Sequence, residues 1–165
     1  MTRKRILSGI RLALLPVLGA AVIMVEAAVA SGPPDFSGTW VLNSQRTDFA
    51  GERPPQSKVQ QVEKQGTALT VTIDEINERG TVHGVARYTT DGEEAVNDVL
   101  GFPMTSSISW EGDVMIMRTW GRFGNADIML IDRWSLSPDG KTLTIARQFQ
   151  GRGRIVDQTL VFDRK

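Results

Sequence analysis

Asp132, Arg147 and Asp157 are the residues whose types and spacing could do chemistry together. They fall on consecutive stretches that alternate apolar with polar, 126–137, 142–148 and 155–164. If the turn at 138–141 closes with Ser137 opposite Thr142, Leu136 meets Leu143, Trp134 meets Ile145 and Asp132 meets Arg147. Apolar then faces apolar and acid faces base, which favours this register over its neighbours. Carried across the loop at 151–154 with Phe149 opposite Ile155, the same ladder sets Arg147 opposite Asp157. Strand-mates Trp134, Leu136, Leu143 and Ile145 turn the row inward. There Arg147 could anchor an anion in a cavity lined by Trp134 and Phe149, with Arg118 and Arg87 as further cations and Tyr88 as a polar contact. Arg87 and Tyr88 are adjacent, so without a bulge only one of them faces in. Without a ligand, the row reads as a structural ion-pair network, or as an outer-face ladder if the register shifts by one.

Other candidates carry less chemistry. His83 is the single histidine and the chain has no cysteine, so a metal site would rest on carboxylates alone; no metal and no cofactor is expected. The pairs Asp74-Glu75 and Glu93-Glu94 splay to opposite faces of a strand and read as solvated strand ends rather than as an acid and base acting together. No nucleophile elbow or phosphate loop is present, and Gly151-Arg152-Gly153-Arg154 reads as a hairpin loop because no helix follows it. Met115, Met117 and Met129 suit a soft barrel lining better than metal ligation.

The elements that must position these residues are short β-type runs separated by turn residues. They are 38–43, 58–64, 68–74, 81–89, 94–100, 105–111, 114–120, 126–137, 142–148 and 155–164. Between the first two, 44–57 contains Asp48, Gly51, Pro54 and Pro55 and reads as a loop with one short helical turn at 45–49. Gly101-Phe102-Pro103 reads as a break. About ten strands with short links predict an all-β fold, a single up-and-down antiparallel barrel of 8 to 10 strands that closes on itself and leaves no free edge.

The start of the chain has a different character. Arg3, Lys4, Arg5 and Arg11 precede an apolar run of 14 residues, 12–25, and Ala28-Val29-Ala30 offers a small-x-small cleavage site. A spanning helix needs about 20 apolar residues, so 1–30 is expected to be a signal peptide and 31–165 a soluble periplasmic or secreted domain with no permanent membrane anchor. Removing four basic residues and Glu26 from the chain's 19 and 19 leaves 15 against 18, a net charge of −3. That balance disfavours nucleic acid as a partner. Without cysteine no disulfide supports the fold, so the core must.

Phe36-Ser37-Gly38-Thr39-Trp40 opens the first strand, and Arg164 stands on the last. The pair resembles the calycin superfamily of lipocalins, fatty-acid-binding proteins and avidins. The resemblance implies a lipocalin-like barrel whose Trp40 plugs one end beneath the Arg164 side chain. Fatty-acid-binding proteins carry two helices between their first strands, and 44–57 is too short and proline-rich to supply them. The hairpins at Trp110-Glu111-Gly112-Asp113 and 134–141 resemble those of uncharacterised exported bacterial barrels. The function expected is binding of a small, partly apolar molecule, an anion where Arg147 anchors it, through Arg118, Asp132, Trp134, Arg147 and Phe149. Two alternatives stay open: an isomerase or cyclase working in the same cavity, and a filled barrel acting as an inhibitor or envelope partner. Binding is preferred to catalysis because no nucleophile–base arrangement can be assembled.

Overall fold

A computed structural model describes residues 32–165; the expected signal peptide, 1–30, lies outside the described residues. Ten antiparallel strands follow one another: β1 (Gly38–Leu42), β2 (Ser57–Gln65), β3 (Ala68–Asn77), β4 (Gly80–Thr89), β5 (Ala95–Val99), β6 (Phe102–Glu111), β7 (Val114–Phe123), β8 (Ala126–Leu136), β9 (Thr142–Gly151) and β10 (Arg154–Arg164). They form one sheet in the order β4-β3-β2-β1-β10-β9-β8-β7-β6-β5. Each strand therefore pairs with its neighbour in sequence, except β4 with β5, and the first and last strands, β1 and β10, pair through Trp40–Arg164, Val41–Asp163 and Leu42–Phe162.

The expected full closure is corrected at one seam. β4 and β5 share no backbone ladder, so the sheet keeps two edges that face each other. The Asn97 side chain stands in for the missing ladder, accepting a 2.7 Å hydrogen bond from Arg87 N and donating a 3.0 Å one to Arg87 O. A side-chain amide offers one donor and one acceptor, as a peptide does, and so satisfies an edge residue that would otherwise need water or another strand.

Loop 43–56 contains no helical turn, another correction. A hydrogen-bonded turn at 44–46 leads into an isolated bridge between Asp48 and Thr159. Because β1 pairs with β10 over only three residues, the loop continues along the β10 edge. Asn43 N reaches Val161 O at 2.8 Å, Asp48 N reaches Thr159 O at 2.9 Å, and Val161 N donates to Thr47 Oγ1 at 3.0 Å. Phe49 then packs against the core from outside the ladder.

Two hairpin links are shorter than the sequence suggests. Leu100-Gly101 and Arg152-Gly153 are two-residue turns with positive φ at both positions, 54° and 84°, then 53° and 75°. This is the pattern whose twist matches paired strands. The first turn lets β6 begin at Phe102. Pro103 fits because it precedes the first β6–β7 pair, Met104–Gly121, and so interrupts no ladder there. The second extends β9 to Gly151 and sets Arg154 opposite Gly151.

Candidate functional site

One end of the barrel is shut by aromatic packing. Trp40 is fully buried and donates its indole N–H to Phe36 O at 2.9 Å. The Arg164 guanidinium lies over the indole, 4.2 Å from its centroid, and is fixed by hydrogen bonds to Gly140 O at 2.8 Å and Ser37 O at 2.7 Å. Gly38 is required beneath it: φ is 140°, and a Cβ there would sit 2.5 Å from Arg164 Nη1. Phe36 bridges to the next layer, stacking edge-on to Trp134 at 5.9 Å.

Above this floor lies a ring of inward polar residues. Asp132 and Arg147 face each other across β8 and β9 in the expected register, joined by two parallel hydrogen bonds, Nε to Oδ1 at 2.8 Å and Nη2 to Oδ2 at 2.7 Å. Asp132 is only 6% exposed, so the planar guanidinium supplies both the charge and the geometry that a buried carboxylate needs. Burial works against the Arg147 charge, but the Asp132 carboxylate outweighs it and holds the guanidinium protonated above its ordinary range.

Asp157 is not part of this row. The β9–β10 register puts Gln158 opposite Arg147 and Asp157 opposite Gln148, one residue away from the expected pairing. A slip of one turns every side chain to the other face, and Asp157 accepts a hydrogen bond from Gln148 on the exposed side at 2.9 Å. The tight turn at 152–153 is the cause. Arg118 is corrected as well: Met117 pairs with Asp132 and faces in, so Arg118 faces out, where it donates to Ser109 Oγ at 3.0 Å. Arg87 is exposed, while Tyr88 packs against the core. Phe149, one inward step beyond Arg147 on β9, lines the mouth and the space that reaches Arg147, but not the inner cavity against Asp132.

The sequence reading missed the other half of the ring. Lys58 and Glu75 face each other on β2 and β3 and form a 3.0 Å ion pair, so Glu75 is no solvated strand end, whereas Asp74 is exposed beside His83. Burial, with help from the Arg147 charge, pushes the Lys58 ammonium below its usual range against the pull of Glu75. Burial alone would raise Glu75, but hydrogen bonds from Asn77 and Lys58 and the Lys58 charge outweigh it and leave its carboxyl lowered. Gln60, one inward step from Lys58, is 3% exposed. This ring thus holds two cations and two anions.

Three cavities run through this interior. An apolar mouth of about 290 Å3 is lined by Val99, Met104, Phe123, Ile128, Leu130 and Phe149 among others. A second space of about 220 Å3 shares Leu130, Phe149 and Arg154 with the mouth and reaches Arg147 and Gln158. The innermost, about 70 Å3, lies on the other side of Arg147, against Lys58, Gln60, Tyr88, Asp132 and Trp134. Small inward residues on β4 help to leave this room: a Cβ added at Gly84 would meet nothing within 4 Å.

Tyr88 is the chain's only tyrosine, which makes the inner cavity spectroscopically visible. Burial, reinforced by the Asp132 charge, pushes its phenol up to about 12. Absorbance at the phenolate band should titrate near pH 12 in the folded protein and near pH 10 in denaturant. Since the unfolded chain gives up this proton first, stability should fall as pH rises through that window. A native midpoint near 10 would place the Tyr88 hydroxyl in water.

No protein-family model matches the chain, and no curated protein matches it. Solved structures do. A secretory abundant heat soluble protein from Ramazzottius varieornatus superposes with a TM-score of 0.56 at 11% identity, covering 82% of this chain and 98% of that one. The zebrafish ileal bile acid-binding protein complexed with cholic acid gives 0.56 at 14%, covering 79% and 98%. The Manduca sexta fatty-acid-binding protein gives 0.53 at 12%, covering 78% and 99%. At these identities the likeness concerns the fold: this is an all-β antiparallel barrel of the calycin type, nearly closed and, among the described residues, without helices.

Proposed function

We propose that the chain is an exported barrel that binds a small, partly apolar molecule between its strands. The observation that carries this reading is the run of three cavities, apolar at the mouth and polar within, in a barrel whose other end is plugged. Ligand sites of small barrels have this form: an apolar lining with a few placed polar groups. The solved neighbours include one protein complexed with cholic acid and one isolated as a fatty-acid-binding protein, which supports the same reading. Mouth residues Phe149 and Leu130 would hold the apolar body, with Trp134, Asp132 and Arg147 further in. An anionic ligand would have to draw Arg147 away from Asp132, or Lys58 from Glu75, whereas an uncharged polar end displaces neither. Export, a periplasmic or secreted location and kinship with exported bacterial barrels belong to this proposal through the 1–30 leader and the two hairpin motifs.

A second reading has one observation behind it. Tyr88 and the Asp132–Arg147 pair share the inner cavity, so a phenol and a guanidinium could polarise one substrate oxygen in an isomerisation or cyclisation. A phenol raised to about 12 is a hydrogen-bond donor rather than a proton donor at neutral pH, which is why binding is preferred.

Native mass spectrometry of the protein from its own host's envelope tests the proposal. The expected result is a chain beginning at Ser31 or within a few residues of it, carrying a small molecule that organic extraction releases. A full-length membrane-bound chain would overturn export. A bare barrel that no partly apolar compound stabilises would overturn binding, and a bound molecule converted on incubation would favour the enzyme.

A further inference from the structure

Two buried polar atoms in the interior have no hydrogen-bond partner among the described residues: Gln60 Nε2 and Trp134 Nε1. Both residues are 3% exposed, and both line the innermost cavity. Buried N–H groups without partners are rare in native interiors because each has left its water behind with no replacement. Two on the wall of one cavity point to an occupant. An indole can only donate, as can the nitrogen of an amide, so the occupant must bring lone pairs.

The charges around the cavity narrow its chemistry. Arg147 is engaged by Asp132 through two hydrogen bonds, and Lys58 by Glu75. A carboxylate entering here would meet two anions whose cations are already taken, and an ammonium would meet two cations. A hydroxyl would also have to place a proton of its own, on Asp132 or the Gln60 amide oxygen of the same wall. A carbonyl oxygen has two lone pairs and no proton to place, which suits donors on two nitrogens.

We propose that the inner cavity is a subsite for an uncharged carbonyl oxygen, of a ketone, amide or lactam, which accepts hydrogen bonds from Gln60 Nε2 and Trp134 Nε1. The rest of the molecule runs past Arg147 toward Phe149 and the apolar mouth. The proposal rests on the binding reading above and names the polar end of that ligand. Tyr88, kept protonated on the same wall, adds a further donor beside the two.

Three naphthalenes with the same 2-dimethylamino ring and different 6-substituents separate the possibilities: propionyl, propyl and carboxylate. Their dissociation constants are measured by fluorescence with the parent protein, Gln60→Leu and Trp134→Phe. The propionyl ketone should bind the parent about tenfold more tightly than the propyl compound, one charge-free hydrogen-bonding group's worth, and more tightly than the acid. Each substitution should erase most of that advantage, and Gln60→Leu should do so while leaving propyl binding within about threefold. Gln60→Leu should not lower the melting temperature of the empty protein, since it removes a donor that had no partner and keeps a side chain of similar size, whereas Trp134→Phe should lower it modestly through the space the smaller ring leaves beside Phe36.

Equal binding of ketone and propyl compound by the parent, or tighter binding of the acid, would overturn the carbonyl subsite while leaving the binding reading intact. So would a Gln60→Leu protein that weakens ketone and propyl compound alike. An empty Gln60→Leu protein that melts clearly lower would mean that the donors hold structural water, and would also overturn it. If none of the three probes binds, the binding reading falls and the subsite with it.

Discussion

Replacing Trp40 by alanine is expected to cost about 3–5 kcal/mol, the range for a fully buried aromatic truncated in a core that cannot collapse around the gap. The indole is completely enclosed and sits where the first and last strands meet, with β1 paired to β10 on one side and to β2 on the other. Its neighbours are held by backbone ladders and cannot move in to fill the space. A domain of this size has about 5–15 kcal/mol of stability in all, so the denaturant midpoint should fall by a large fraction. Trp40→Phe should cost much less, about 1–2 kcal/mol, by leaving Phe36 O without its donor. Arg164→Ala should also be mild, because the guanidinium is exposed and its stacking contributes about 0.5–1 kcal/mol in such a setting. Gly38→Ala tests the same layer from below, since its Cβ would strike Arg164 Nη1. An unchanged unfolding midpoint for Trp40→Ala would mean that the barrel end is not the keystone of the fold.

The architecture was legible because its signals are local. Alternation of Leu69, Val71 and Ile73 with Thr70 and Thr72 fixes a strand and its inward face without knowledge of its partner. The β8–β9 register was legible too, since the 138–141 turn leaves one alignment in which Leu136, Trp134 and Asp132 all find fitting partners. What failed was the next hairpin. Two-residue turns with positive φ are usually announced by Asn-Gly or Asp-Gly; here Leu100-Gly101 and Arg152-Gly153 put a leucine and an arginine where only glycine sits without strain. Those links read as longer loops, and the one-residue difference carried Asp157 to the outer face.

The site was half legible for a related reason. On β8 and β9 the polar residues stand among large apolar neighbours that reveal the inward face. On β2, Lys58, Gln60, Val62 and Lys64 alternate with Val59, Gln61 and Glu63, and neither set looks like a core. Only the pairing of Gln60 with Trp40 and Ile73 decides it. Arg118 misled in the opposite way. The run Met115-Ile116-Met117 is apolar at every position, so the phase of β7 could not be read until Met117 was seen opposite Asp132. The seam at Asn97 has no sequence signature at all, because an asparagine that imitates a peptide looks like any turn residue.

Arg147→Met is expected to destabilise the empty protein by about 3–5 kcal/mol, the cost of leaving a buried carboxylate without its partner. Asp132 is 6% exposed and takes both of its short hydrogen bonds from this guanidinium. The Lys58 ammonium is already held by Glu75, so it cannot serve Asp132 without abandoning that pair. Adding Asp132→Leu to Arg147→Met should recover most of the loss, because an apolar pair of similar volume removes the charge and the need for its partner together. Each single substitution would then be worse than the double, a coupling that identifies the pair as one unit. The same proteins decide whether Arg147 serves an anion. If small organic acids raise the parent's melting temperature and do nothing for the double variant, the guanidinium reaches the ligand. If acids stabilise neither while the naphthyl ketone stabilises both, Arg147 belongs to Asp132 and the ligand's polar end lies deeper. Should Arg147→Met melt with the parent, the bidentate pair contributes nothing to the fold, and a guanidinium free to leave Asp132 would make an anionic ligand the better reading.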